Sequence, residues 1–258
     1  WPLGHCELTL HTVAASASGV SLERPLRLTF SSGGKGAPVP ILMYHHILDL
    51  TDNATEGQRT WTVSPQAFEE QMTWLVERGW HSITPTQLAA YLRDGNPLPP
   101  KPIIISMDDG YKEVYTTAYP IFAETGLRPT LFITPRYIGY GAYMTWEQLG
   151  ELATVGYAIG AHGYDHSNLR GMNDAELALQ IGDSRQILEQ RLGVVVDSFC
   201  YPYGSYDDRV LAILEKHSYT TAATLNPGYW QSPDQPYRLD RLRIDYSMTL
   251  TEFAELLP

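Results

Sequence analysis

Residues 102–110 read PIIISMDDG: a short apolar run that ends in two adjacent acids and a glycine. An uninterrupted run of this length, lacking polar alternation, predicts a strand covered on both faces, as in a parallel sheet. Its end is less ordinary. Two neighbouring carboxylates repel each other, and burying either without a partner is costly, so Asp108 and Asp109 imply something positive close by.

Working outward, similar runs occur at PILMY (40–44), TLFIT (130–134), YAIGA (157–161), DSFCY (197–201) and TTAATL (220–225). Amphipathic segments with helix signals lie between them. Ser64 and Pro65 open a helix carrying Phe68, Met72, Leu75 and Val76 at helical spacing, with Gly79 just beyond its end. Thr84–Pro85 opens the next; Thr145 with Gln148 and Asn173 with Glu176 form capping boxes, and Gly156 and Gly193 stand where those helices should stop. Strand followed by helix, at least six times over, predicts an α/β fold with a parallel sheet. No GxGxxG or Walker A sequence favours a nucleotide-binding open sheet, so a closed barrel is expected, with its chemistry where the strands end.

The 258 residues suffice for one large core, and 43% hydrophobic with 18% charged residues describes a folded chain. The division expected is a catalytic domain over 38–258, preceded by a β extension and linker over 1–37. In that segment CELTLHTV and PLRLTF alternate loosely, and SSGGKGAP breaks the pattern. A net charge of −11 with no basic block argues against nucleic acid or an anionic membrane as partner. No apolar stretch approaches the roughly 18 residues of a membrane span. The first residue is Trp1 and not Met, so any signal peptide or anchor is expected to have been removed or to lie outside this sequence. Cys6 and Cys200 are the only cysteines and lack the spacing of a zinc-thiolate site; a disulfide between them stays open. Seventeen tyrosines and six tryptophans suit sugar rings as well as cores.

The strand ends concentrate the ionisable residues. Asp108-Asp109-Gly110 follows one strand, His162 and His166 follow another in HGYDHSNL, YPYG ends a third, and His45-His46 ends PILMY. Each has an ordinary reading as a turn, a surface histidine or a buried, hydrogen-bonded ring. Their coincidence at one end of one barrel favours a common chemistry. Two imidazoles and a carboxylate make a three-ligand set that leaves a coordination position free, as catalytic zinc requires, and Asp109, His162 and His166 are the candidates. Asp108 is then available as a base for a bound water, the Tyr203 N–H as an oxyanion donor, and His45 or His46 as the acid for a leaving amine. The same ligands suit Fe(II) and oxygen chemistry, so they do not by themselves decide the reaction.

In combination these segments resemble the polysaccharide deacetylase family, the NodB-homology domains that hydrolyse N-acetyl groups on sugar polymers. The resemblance runs over about residues 39–257 and implies a distorted (β/α)7-type barrel. SMDDG is similar to the motif TFDDG, which implies Asp108 as catalytic base and Asp109 as metal ligand; HGYDHSNL is similar to HSxxHxxL, with Gly163 at its second position, and implies His162 and His166 as ligands. YPYG resembles the end of a third motif whose tyrosine, here Tyr203, lends its backbone to the oxyanion hole. Two departures stand out: Cys200 occupies the place of an arginine that orients the base, and the late Leu-x-His motif is absent from RLDRLRID. ILMYHHI and SPQAFEEQMTWLVERGWHSIT resemble the branch that deacetylates poly-β-1,6-N-acetylglucosamine of biofilm matrices, in which the strand order is permuted and the histidine after the tyrosine is the acid. This implies His45 as acid, His46 as structural and Arg241 as the replacement arginine, with Arg243 its neighbour.

The resemblance implies a divalent metal ion, Zn2+ first and Co2+, Ni2+ or Fe2+ otherwise. It also implies a polysaccharide substrate with N-acetylglucosamine units and an extracellular, cell-surface or periplasmic location; a monomer is expected. Tyr164, Tyr201 and Trp230 are candidates for the groove walls. The alternatives are a deacetylase of peptidoglycan or chitin oligomers, and a catalytically silent carbohydrate-binding barrel.

Overall fold

Seven parallel strands close on themselves in strict chain order. They are β1 (Ile41–Tyr44), β2 (Pro102–Asp109), β3 (Thr130–Ile133), β4 (Ala158–Ala161), β5 (Ser198–Cys200), β6 (Thr221–Pro227) and β7 (Leu239–Arg243). Each pairs with the next, and β1 closes the ring by pairing with both β2 and β7. This computed structural model describes residues 36–258 in full and, before them, the backbone of two antiparallel strands, Cys6–Leu10 and Leu26–Phe30, with Cys6 opposite Phe30. Most of the SSGGKGAP segment lies outside the described residues. Its end does not behave as a free linker, because Ala37–Pro38 pairs with Trp230–Gln231 and Ala37 joins a buried cluster.

Strand alternation sorts the residues into two environments. In β2, Ile103, Ile105 and Met107 face outward into the large core beneath the helices, while Ile104, Ser106 and Asp108 face the lumen. The lumen is layered. Ile41, Ile104 and Leu239 form its base with Leu88 and Leu92 of helix α2 (Pro85–Asp94), which plugs the N-terminal end of the barrel. Above them lies a small apolar cluster of Phe132, Cys200 and Ala223, set among the polar Ser106, Ser198, Thr224 and Arg241. Both faces of these strands are buried as expected, but the inner face is polar and small rather than greasy.

Helix α1 (Pro65–Glu77) starts where Ser64 and Pro65 predict, and the Ser64 side chain accepts from the Ala67 N–H. Phe68, Met72 and Leu75 are buried, whereas Val76 is 42% exposed: it lies on the helix flank, not on the core face predicted for it. Further outer helices include α3 (Tyr119–Thr125), α4 (Trp146–Thr154), α5 (Ser184–Leu192), α6 (Asp208–Lys216) and α7 (Leu250–Glu255). The Thr84, Thr145 and Asn173 capping boxes all form. The helix begun at Asn173 is not uniform, however, since a π-helical turn at Ala178–Asp183 interrupts it before α5.

Candidate active site

All four sequence-predicted strand ends meet at the C-terminal mouth of the barrel, around a pocket of about 360 Å3. His45 follows β1, Asp108 and Asp109 end β2, His162 and His166 follow β4, and Tyr201 and Tyr203 follow β5. Arg241 rises into the pocket floor from the middle of β7. Neither Tyr164 nor Trp230 lines the pocket; Trp230 is held on the outer wall by its pairing with Pro38. Tyr201 does line it, although buried, and its hydroxyl donates to the Tyr237 carbonyl at 2.9 Å.

The two adjacent acids part ways because consecutive strand residues point to opposite sides and Asp109 takes a left-handed turn at φ 73°. Asp108, 1% exposed, turns into the lumen onto Arg241, whose Nη1 donates to both carboxylate oxygens at 2.8 and 2.9 Å. The same guanidinium donates to the Ser106 hydroxyl, the Thr224 carbonyl and the Cys200 sulfur, so a buried cation has every side occupied. Burial would raise the Asp108 carboxyl, but the charge of Arg241 first, then those of His45 and His162, outweighs it and holds it below its ordinary value. Arg243 points elsewhere, its guanidinium standing over the Trp61 ring at 5.5 Å from the centroid.

Asp109 faces the histidine pair. Its Oδ1 stands 3.5 Å from Nε2 of His162 and 3.5 Å from Nε2 of His166. Ligands about 2.0–2.1 Å from a tetrahedral ion lie roughly 3.4 Å from one another, so these separations suit a shared cation. The His162 Nδ1 lies 2.8 Å from the Cys200 carbonyl, which can only accept; Nδ1 therefore carries the hydrogen, and the lone pair of Nε2 is left facing Asp109. Burial first, then the neighbouring His162, lowers the His166 pKa and favours the neutral ring that a metal needs. On this geometry and donor chemistry the trio fits a divalent cation. Among the described residues Asp108, His162 and Cys200 also converge. That set fits poorly, because Asp108 is neutralised by Arg241 and burial keeps the Cys200 thiol protonated.

His45 and His46 have different surroundings. The Nε2 of His45 lies 3.7 Å from Asp108, its ring packs 4.6 Å from Trp61, and burial brings its pKa down to about 4 against the pull of Asp108 and Asp109. His46 instead bonds through Nδ1 to Glu113 at 2.6 Å and stacks on Tyr111 at 3.8 Å, forming a wall of the pocket. Three of the five non-glycine residues with positive φ among those described, Asp109, His166 and Tyr203, lie in this site. Such conformations persist only where surrounding contacts enforce them. Cys200 is a buried thiol in the lumen; the side chain of Cys6, its candidate disulfide partner, lies outside the described residues. Trp61, Tyr111 and Glu113 were not singled out by sequence; Tyr111, next to Asp109-Gly110, was the one with a positional signal.

Comparison with known proteins identifies relatives of the chain as a whole. The profile of the family described as "Polysaccharide deacetylase" matches residues 95–222. The Bacillus subtilis (strain 168) protein named "Putative polysaccharide deacetylase YxkH" is 30% identical over 220 residues, 85% of this chain and 76% of that protein. The poly-beta-1,6-N-acetyl-D-glucosamine N-deacetylase of Escherichia coli (strain K12) is 24% identical over 80% of this chain; the match spans only 37% of that relative. Among solved structures, the Streptococcus pyogenes deacetylase PplD in complex with acetate superposes with a TM-score of 0.81, covering 87% of this chain and 100% of that one at 24% identity. IcaB from Ammonifex degensii gives 0.71, covering 87% and 97% at 22% identity. At those identities the superpositions establish a common fold.

Proposed function

The chain belongs to the polysaccharide deacetylase family, and from that premise we propose that it removes N-acetyl groups from N-acetylglucosamine units of an extracellular polymer, poly-β-1,6-N-acetylglucosamine. The observation that carries the proposal is a buried, ionised Asp108, clamped by Arg241, beside the Asp109–His162–His166 trio on one pocket floor. The named activity of the Escherichia coli relative supports the choice of polymer.

In this reading Asp109, His162 and His166 hold a divalent cation, zinc foremost. Such an ion polarises the amide carbonyl and makes a water acidic enough to attack near neutral pH. Asp108 accepts the proton of the attacking water, and Arg241 keeps that carboxylate aimed and charged beforehand. The Tyr203 N–H stabilises the oxygen on which negative charge develops. As the C–N bond breaks, the glucosamine nitrogen takes a proton from His45, and the acetyl group leaves as acetate. The protons balance over the cycle: burial brings the His45 pKa down to about 4, so its ring gains the proton it delivers only during the reaction, and the proton that Asp108 takes from water makes up for it. His46, tied to Glu113, shapes the wall instead. Residues 38–258 would form the catalytic domain, monomeric and working outside the cytoplasm; among the described residues no helix is long and apolar enough to cross a membrane.

Acetate release from defined N-acetylglucosamine oligomers tests the proposal. It should be abolished by chelation, return with added Zn2+ or Co2+, and favour β-1,6 over β-1,4 linkage. Preference for β-1,4 oligomers would transfer the assignment to chitin or peptidoglycan. Release that ignores chelation would remove the metal from the mechanism.

A further inference from the structure

The loop that carries both histidines, residues 162–166, is held by a side chain from a distant turn. Gln180, 3% exposed, sits in the π-helical turn Ala178–Asp183. Its carboxamide oxygen accepts from the N–H of Tyr164 at 2.9 Å and of Asp165 at 3.4 Å, and its nitrogen donates to the Asp165 carboxylate at 2.7 Å. The same Asp165 oxygen takes the hydroxyl and the N–H of Ser167 at 2.6 and 3.2 Å, closing the far side of His166. Between these anchors His166 adopts φ 61°, a conformation that a side chain with a Cβ keeps only under constraint.

Gly163 explains why the carboxamide can enter. A Cβ at this position would stand 3.1 Å from the Gln180 Oε1 and 3.2 Å from Pro202, and φ is +72°. Glycine here, where the related motif carries serine, leaves the space that Gln180 fills. The π turn supplies the reach, because its wider winding shifts Gln180 relative to a regular helix continuing from Asn173.

We propose that Gln180 is a positioning residue for the cation: it pre-sets the 162–166 loop so that the Nε2 of His166 stands at a distance from Asp109 that a single ion can bridge. The inference rests on the reading of Asp109, His162 and His166 as a cation site. Its role is that of an outer-shell partner, acting through the loop rather than touching the ion or the substrate.

Co2+ is the probe, because its visible absorption reports ligand geometry independently of turnover. Affinity is measured by chelator competition, well below each variant's melting temperature. Wild type should bind one Co2+, and His162→Ala should lose it. Gln180→Leu, similar in volume but unable to hydrogen-bond, should bind about 10- to 100-fold more weakly and with an altered spectrum. Gln180→Glu replaces the donation to Asp165 by a second carboxylate facing the first, so a loss of affinity is expected here too; it carries the test if the leucine variant does not fold. Variants with lowered metal-free melting temperatures but wild-type affinity and spectrum would overturn the inference, leaving Gln180 a purely structural residue. Absence of Co2+ binding by the wild type would overturn the cation site and the inference together.

Discussion

Arg241 decides the electrostatics of this pocket, and it reaches Asp108 from a strand 133 residues away. The pair is buried on both sides, so removing one partner strands the other without water. Arg241→Ala should therefore lower the unfolding free energy by about 3–5 kcal/mol at neutral pH, read from urea denaturation, with part of the loss recovered in Arg241→Ala combined with Asp108→Asn. A loss below about 1 kcal/mol would mean that the ion pair is not formed as described. Asp108→Asn alone should keep the bound metal while acetate release falls by about 10²- to 10⁴-fold; unchanged turnover would refute its role as base. His45→Gln should slow release more than His46→Gln, since only His45 faces Asp108. The buried His45 also predicts a pH effect on the metal-free protein. Its folded pKa of about 4 lies below the unfolded value near 6.5, so between these pH values the unfolded chain binds more protons and stability falls on acidification. That contribution is complete above about pH 6.5 and lost near pH 4, and His45→Phe should flatten the curve in this window. Asp108, with a lowered pKa, adds its own loss at still lower pH. At this scale Asp108, Asp109, His162 and His166 were legible because their spacing is local. The choice between Arg241 and Arg243 was not, because both orientations are open to a strand whose neighbours are unknown.

At the scale of elements, β7 is the one strand of the barrel that the apolar runs do not disclose. Its sequence, LDRLR, places Leu239 and Arg241 inward and Leu242 outward, so the inner face carries a cation, the counterpart of Asp108 on β2. Alternation with charge on the buried face looks like a solvated edge until the partner carboxylate is known. The two π-helical turns, Val114–Ala118 and Ala178–Asp183, were likewise unreadable, because an extra residue in a helical turn leaves no compositional mark. Both lie close to the site: one follows Glu113, which holds His46, and the other contains Gln180. The lumen yields a packing prediction. A Cβ on Gly160 would stand 2.5 Å from the Phe132 ring and 2.8 Å from the Ser198 hydroxyl, inside closely packed barrel walls. Gly160→Ala should thus cost about 1–3 kcal/mol in chemical denaturation, and a neutral result would show that Phe132 can move aside.

For the whole molecule, closure of the ring is what creates the site. His45 on the first strand and Arg241 on the last become neighbours only because β1 pairs with both β2 and β7. A cation bound only by the folded chain stabilises it by mass action, about 2.7 kcal/mol when present at a hundred times its dissociation constant. Chelation should accordingly lower the melting temperature of wild type and leave His162→Ala unmoved; an equal shift in both would place the bound ion elsewhere. The sequence by itself determined the α/β alternation, six of the seven strands, the helix caps and the residues at the strand ends, since these follow from neighbours within a few positions along the chain. The tertiary structure alone decided which arginine meets Asp108, that Val76 lies on a flank, that Tyr164 and Trp230 stand away from the pocket, and that Gln180 braces the histidine loop. Those outcomes depend on contacts between segments distant in the chain, whose geometry arises only when the barrel closes.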